Sequence, residues 1–549
     1  MTTYDWSNGS ITLAAGADSR DIQAALDSAP EGGTIRLEAG SYTLDAPISI
    51  TTDGVSLIGA GDGKTVFEVD HSSDWSGDAI SVSGEWPWED VQLDAGIQEG
   101  DTSLQLSGGP TLQAGDWLWI EAENTDAYLD SIGDTAWRQD KPLRTSIVQI
   151  QEVTDDGVIL ESGVHFDFPQ DVTTVEKLDP VEGVTLSGFS MNYNLGEPDA
   201  GTFENTLEAY TRDSAVQVAH AVGTQVSDIT VTDAASNGFT FLYSAQVSAS
   251  DLTVDGAHNK GDGGNGYAVH LQGVYDSSFT GLSDTDMRHS TVFGSWYSNV
   301  GNTVEVDYTN RDINFHGGRD HDNDVYVHVS ERNPETDTKS PVVYYNTEGE
   351  SWGAPTDIST NVVVFAEVAG TVRDDVVQAS DTGAVIDGRG GDDRLTGGRG
   401  DDLIIGGDGT DTLDGGDGAD SLDGGDGDDI LVGGYEADVL AGGAGNDQLA
   451  GGTSQDRLFG GAGDDTLEGD AHADELTGGA GDDLLYGGGS WDIAHFSGTR
   501  ADTRFIQYDA GYTLDISDYE GLGHFATDDV ILASRDIQDN EIDRKMKSE

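Results

Sequence analysis

The chain has 549 residues, of which 103 are Asp or Glu and 25 are Lys or Arg, so its formal charge is −78 at pH 7. Such a charge excludes nucleic acid as a partner and makes a globular domain repel itself unless salt screens it, which points to a marine or otherwise saline medium. There is no cysteine, hence no disulfide, and no apolar run is long enough to span a bilayer. The start, Met1-Thr2-Thr3-Tyr4-Asp5, has neither the basic nor the apolar region of a cleaved export signal.

Asp18 and Ser19 can cap a short helix whose apolar face is Ile22, Ala25 and Leu26 and which Pro30 ends. Strands at Gly33–Leu37, Ser41–Leu44 and Val55–Gly59 follow. This succession resembles the N-terminal cap and first coils of right-handed parallel β-helix proteins of the pectate-lyase type, and implies an all-β fold. Between about 85 and 180 the coil rhythm breaks. Val91–Leu93, Leu104–Leu106, Asp116–Ile120 and Ile147–Ile150 there predict a small antiparallel insertion. Trp117 and Trp119 read as its core. Trp86 and Trp88 flank Pro87 in a predicted loop and read as exposed platforms for sugar rings.

From Val181 the coils resume, with Asp251–Val254, Ser278–Leu282, Asn302–Val306 and Asn323–Val327 recurring every 21–27 residues. One strand per turn follows, with neighbouring coils about 4.8 Å apart. Stacking the turns after these strands aligns Lys260, Arg288, Arg311 and Arg332 along one edge. Alternation points Tyr267, Val269, Leu271, Ile313 and Phe315 inward and turns His270 and His316 outward on one face. This basic strip on so acidic a chain reads as a groove for an anionic polysaccharide, with His258, Arg311, Arg319, His321, Arg332, Trp86 and Trp88 as binding residues. Local pairing with Asp284, Asp286, Asp307, Asp312, Asp320 and Asp322 is the alternative.

Twelve nonapeptides then run from Gly388 to the end of the copy containing Asp492 without a slipped residue. Each has aspartate at its sixth position: Asp393, Asp402, Asp411, Asp420, Asp429, Asp438, Asp447, Asp456, Asp465, Asp474, Asp483 and Asp492. Position eight is apolar from Leu395 to Leu485, which predicts a core row. Copies such as Gly397-Gly398-Arg399-Gly400-Asp401-Asp402-Leu403 resemble the repeats-in-toxin family, and the resemblance implies a parallel β-roll binding several Ca2+ ions, secreted by type I export machinery. The ligands expected are Asp393, Asp402, Asp411, Asp420, Asp429, Asp447, Asp465 and Asp483, with the turn glycines Gly397, Gly406, Gly415, Gly424, Gly442, Gly460 and Gly478. Alternate copies replace the position-four glycine by Glu436, Ser454, His472 and Ser490. A Cβ there should hinder the turn, leaving a long calcium row on one edge and a short one, at Asp402 and Asp420, on the other.

The organisation expected is a β-helix over 1–380, a β-roll over 385–496, and a cap over 497–549 carrying the export signal. A β-helix followed by such repeats is similar to the secreted mannuronan C5-epimerases and related alginate-active enzymes. Their Tyr-Gly-Phe-Asp-Pro-His motif is not present, and Asp286-Met287-Arg288-His289 is the nearest local likeness. The paired aspartates and Arg-Ile-Lys motif of the β-helix polygalacturonases are missing too. Likeness to chondroitinase B-type lyases implies a lysine base and an arginine one coil apart, a spacing that Lys260 and Arg288 share. The expected activity is β-elimination on a uronate-containing polysaccharide, with His270, Arg288, His289, His316 and Lys260 as catalytic residues. Epimerisation is a second possibility. Glycoside hydrolysis by Asp284/Asp286 or Asp320/Asp322, and a non-catalytic matrix or adhesin role, are the others.

Overall fold

The computed structural model describes residues 4–71, 75–132, 142–199, 202–261, 265–294, 297–316, 319–331, 342–345, 360–379, 383–481, 483–490, 492–495, 504–505 and 530–532. They fall into two compact units: Met1–Val325 with Tyr344–Val362, and Tyr326–Val343 with Val363–Glu549. Among the described residues no helix is long and apolar enough to cross a membrane.

In the first unit a strand, Ser10–Leu13, precedes the expected helix, Ser19–Asp27. Asp18 caps it by accepting the N–H groups of Arg20 and Asp21, and Ile22, Ala25 and Leu26 are buried. Parallel coils follow. In one sheet the strands Gln225–Ala234, Ser248–Ala257, Ser278–Thr285 and Thr303–Thr309 stack so that Ile229, Leu252, Leu282 and Val306 form one inward row. In a second sheet Asn237–Ala245, Tyr267–Tyr275, His289–Phe293 and Ile313–Phe315 stack Phe241, Leu271, Phe293 and Phe315. Phe293 and Phe315 lie face to face, 4.3 Å between centroids. Each buried side chain of this kind contributes ~1.5–3 kcal/mol. The turns are held by a buried amide ladder, Asn302 donating to Asn323 at 2.9 Å and Asn323 to Asn361 at 2.9 Å.

The insertion is a closed six-stranded antiparallel barrel built from Glu85–Leu93, Ser103–Ser107, Trp117–Ala122, Arg144–Thr154, Gly157–Leu160 and Thr173–Asp179. Trp117 and Trp119 are in its core, as the sequence suggests. Trp86 and Trp88 fall in the strand Glu85–Leu93 rather than in a loop, because the barrel needs that segment to pair with Thr173–Asp179; their side chains lie outside the described residues. The barrel packs on Val222, Ala245, Tyr275 and Val300 of the coils. A polar chain reinforces the joint: Ser146 Oγ meets His165 Nδ1 at 2.5 Å, and His165 Nε2 lies 3.3 Å from Asp276. Ser146 is fully buried, so this Ser-His-Asp chain is a structural tie and not a nucleophile.

In the second unit each coil between Val376 and His495 takes 18 residues and contributes one strand to each of two parallel sheets. Ile386, Ile404, Leu422, Leu440, Leu458 and Leu476 stack in one, and Leu395, Leu413, Leu431, Leu449, Leu467 and Leu485 in the other. All of them are buried, and from Leu395 to Leu485 they are the position-eight core read from the sequence. The fold is thus all-β, a parallel β-helix carrying a small barrel and a parallel roll of nonapeptide repeats.

Candidate functional site

Parallel stacking places His270, Val292 and Asn314 in one row across three coils, with Tyr267 opposite His289. His270 leans over Gly294, where any Cβ would strike its Nε2. His289 Nδ1 lies 2.9 Å from both carboxylate oxygens of Asp312, and Asn314 Nδ2 donates to the same carboxylate at 3.1 Å. A carboxylate only accepts, so Nδ1–H is committed to Asp312 and Nε2 is the ring nitrogen left to exchange a proton. The Tyr267 ring sits between two of the imidazoles, 5.3 Å from His270 and 5.6 Å from His289.

His316 belongs to the same group, for its protonation is opposed by His289, His270 and Arg288. Burial is the larger cause, and it pushes His316 down to about 3 and His270 down to about 4. Both are neutral imidazoles at neutral pH. The structure therefore brings His270, Arg288, His289 and His316 together. It corrects their exposure: His270 and His316 are only partly exposed, and His289 is 8% exposed.

The expected basic edge is corrected further. Lys260 and Arg311 are 1% and 3% exposed, because Asp199 and Phe203 lie against them. Lys260 Nζ donates to Asp199 O at 2.7 Å, Arg311 donates to Met287 O, and both cations face the Phe203 ring. Burial, then the neighbouring Arg311, push Lys260 down to about 8. Neither side chain reaches a groove. Arg288 stays partly exposed, with Nη1 on Gly261 O. His258 is nearly buried against Gly196 O. Arg319 interacts with Tyr128, and His321 packs its ring on Phe166, so both are engaged by the barrel. Arg332 lies outside the described residues.

The carboxylate pairs considered for hydrolysis are split by the coil wall. Asp284 is buried, held by Ser290 and by Thr309 Oγ1 at 2.9 Å, and burial pushes it up to about 6. Asp320 is fully buried and accepts Asn299 N–H at 2.8 Å. Asp286 and Asp322 are left outside, and neither pair faces one ring.

Sequence reasoning missed Asp312 and Asn314 as members of the histidine group. Stacking Asp312-Ile313-Asn314 beside Ser290-Thr291-Val292 in the coil register would have found both.

In the roll each sixth-position aspartate turns inward. From Asp411 on, its Oδ1 accepts the backbone N–H of the aspartate 18 residues earlier, at 2.7–3.1 Å, and Asp402 Oδ1 accepts that of Ala384. Its Oδ2 is buried with no hydrogen-bond partner at Asp393, Asp402, Asp411, Asp420, Asp429, Asp438, Asp447, Asp456, Asp465 and Asp474. Burial pushes Asp393 up to about 8 and Asp429, Asp438 and Asp474 up to about 7. Rows of buried, half-satisfied carboxylates are what a hard divalent cation neutralises, so these residues fit calcium. The position-one glycines, Gly397, Gly406, Gly415, Gly424, Gly442, Gly460 and Gly478, pack directly on that carboxylate, where a Cβ would meet Oδ2.

The substituted edge keeps its turns. Glu436, Ser454, His472 and Ser490 all take positive φ, at 65°, 93°, 80° and 121°. Two of the side chains then bond backward: Glu436 Oε2 accepts Gly418 N–H and His472 Nδ1 accepts Ser454 N–H, each at 3.2 Å. Asp438, Asp456 and Asp474, absent from the ligand set expected from sequence, hold the same posture as Asp402 and Asp420.

Asp375 was missed as well. It stands one coil before Asp393 and donates its N–H to Asp393 Oδ1 at 2.7 Å. The Asp374-Asp375-Val376-Val377 run, 18 residues ahead of Asp392-Asp393-Arg394-Leu395, was the available signal.

Seven overlapping segments spanning residues 370–497 match the family described as RTX calcium-binding nonapeptide repeat (4 copies). The second unit is therefore built on repeats of the calcium-binding type. Among curated proteins no relative matches the chain. Solved structures similar to it include the tailspike protein gp49 from Pseudomonas phage LKA1, at 13% identity over 92% of this chain and 76% of that one, with a TM-score of 0.42. The alginate lyase from Paenibacillus sp. str. FPU-7 is 11% identical over 75% and 94%, with a TM-score of 0.33. The surface adhesin PfbA of Streptococcus pneumoniae is 10% identical over 88% and 89%, with a TM-score of 0.32. Scores this low carry no argument about activity.

Proposed function

We propose that the protein is a secreted, calcium-binding enzyme that cleaves a uronate-containing polysaccharide by β-elimination at the His270, Arg288, His289 and His316 group. The observation that carries this reading is the Asp312–His289 dyad surrounded by two imidazoles held neutral and one arginine. His289 Nε2 takes the proton at C5 of the sugar. The freed electron pair forms the C4–C5 double bond as the bond from C4 to the glycosidic oxygen breaks, and the His289 imidazolium returns its proton to that oxygen. Asp312 stabilises the imidazolium in between. Arg288 neutralises the C6 carboxylate, and the N–H groups of neutral His270 and His316 donate to the charge that develops on it. Lys260, under Phe203 and committed to Asp199, has no part in this scheme.

A C5-epimerase would share the proton abstraction and differ in the next step. The test is incubation with alginate, pectate, hyaluronan, chondroitin and ulvan, read by the ultraviolet absorbance of the unsaturated product. Proton exchange at C5 without absorbance would mean epimerisation, and no reaction with any polymer would overturn the reading.

A further inference from the structure

Two residues beyond His270 on the same strand is Gln272, which by alternation shares its face. Gln272 Nε2 donates to the Tyr243 hydroxyl at 2.9 Å. The Tyr243 ring meets that of Tyr297 edge to face, 4.8 Å between centroids at 85°. On another side it is stacked with His220, 5.2 Å away and only 9° from parallel. Gly273, at φ 65°, lies beneath both tyrosines, and a Cβ there would crowd Tyr243 at 3.1 Å and Tyr297 at 3.4 Å. Below the pair is Trp119 of the barrel, 6.1 Å from each ring and 1% exposed. The aromatic stack thus has a closed floor and a partly exposed top made of Tyr243, Tyr297, Gln272 and His220.

Packing against the barrel accounts for the floor. It does not account for a top that combines ring faces with an amide, a phenol and an imidazole, when the neighbouring joint residues Val222, Ala245, Tyr275 and Val300 are fully buried. Aromatic faces bordered by a few fixed polar groups suit a pyranose ring, which presents C–H on its faces and hydroxyls at its rim. Gly273 is three residues from His270, roughly 10 Å along an extended strand. That is close enough for one polymer chain to meet both places.

We propose that Tyr243, Tyr297 and Gln272 form a saccharide-ring subsite beside the histidine group, binding a sugar unit distant from the bond that breaks. The subsite rests on the reading of the histidine group as a polysaccharide-cleaving centre. It contacts a ring by stacking and by hydroxyl hydrogen bonds, so it should be insensitive to salt, whereas Arg288 engages a carboxylate and should weaken as salt rises.

The experiment uses the full chain with calcium and alginate and pectate oligosaccharides of graded length, with binding followed by calorimetry and turnover measured in parallel. Tyr297→Ala and Gln272→Ala should weaken binding of the longer oligosaccharides ~10-fold, raise KM and leave kcat within about twofold, as loss of uniform binding does. The shortest ones should bind as before. Tyr243→Phe keeps the packing and removes only the hydroxyl, so it should melt normally and show the same pattern more weakly. Long oligosaccharides that bind these variants as tightly as the parent, with turnover intact, would overturn the subsite and leave the histidine group standing. A parent protein that binds none of these oligosaccharides, nor those of hyaluronan, chondroitin and ulvan, would overturn both.

Discussion

The two units bury polar groups in opposite ways. In the first, the asparagine ladder closes on itself: Asn323 accepts from Asn302, donates to Asn361 and donates to the carbonyls of Asn299 and His321. In the second, the aspartate ladder is satisfied on one oxygen and bare on the other at every coil from Asp393 to Asp474. An amide offers both a donor and an acceptor, so identical side chains can satisfy one another along a stack. A carboxylate only accepts, and a stack of them needs something positive from outside. The asparagine ladder is complete in its own chain; the aspartate ladder calls for a cation.

Removing calcium is the severest test of that contrast. With a chelator in excess, the full chain should lose the β-sheet signal of residues 370–495 in circular dichroism, and a protease should trim that region while sparing the first unit. A spectrum and a digestion pattern unchanged by chelator would mean that the bare oxygens are neutralised in some other way. The proposed chemistry belongs to the first unit, outside the aspartate ladder, so turnover should persist in chelator, while His289→Ala should lower it ~100-fold or more in either condition. Activity lost on chelation but retained in His289→Ala would reverse the assignment.

A smaller effect is expected in the amide ladder. Asn323→Ala strands donors and acceptors on both neighbours and should cost about 1–3 kcal/mol, read as an earlier melting of the first unit with the roll unaffected. The histidines give that unit a pH dependence of known sign. His270 and His316 are held at about 4 and about 3, below the ordinary 6.5, so the unfolded chain binds more protons. Their contribution to stability is full above 6.5 and is lost as pH falls toward 4 and 3. Melting of the first unit should drop across that window, and more gently in a His316→Asn variant.

The smallest change concerns the substituted edge. Ser454→Gly relieves a left-handed non-glycine residue and should stabilise the calcium-loaded roll by ~1 kcal/mol. Gly427→Ala on the other edge should destabilise it, because a Cβ there meets the Gly409 carbonyl. Equal and small shifts in the two melting temperatures would erase the distinction between the edges.

The same contrast explains what was legible in the sequence. The roll repeats its register strictly, so its core leucines and inward aspartates could be read directly. Its true start could not, since Gly370-Thr371-Val372-Arg373 keeps too few of the repeat's glycines. In the β-helix, strand spacing revealed the stack and the grouping of His270, Arg288, His289 and His316. What failed was exposure. Lys260 and Arg311 looked like surface cations because the residues against them, Asp199 and Phe203, lie about 60–110 residues earlier in the chain, in a stretch that carries no periodicity. Asp312 looked like a surface counter-charge for the same reason: its partner His289 is one coil away, a distance that local pairing arguments do not see.

Asp375 gives the roll a direction. Its Oδ1 accepts Val342 N–H at 3.1 Å, and its Oδ2 accepts the Thr371 N–H at 2.7 Å and hydroxyl at 3.0 Å, so this one member of the column is saturated without any ion. A stack of equivalent coils has no preferred place to nucleate, and loop closure must be repaid wherever the first coil forms. The coil around Asp375 needs no ion for its aspartate and is therefore expected to close first, and it presents a backbone N–H aimed at Asp393. Each later coil can then add to an existing template, one ion and one aspartate at a time, in the manner of a zipper with a fixed starting tooth.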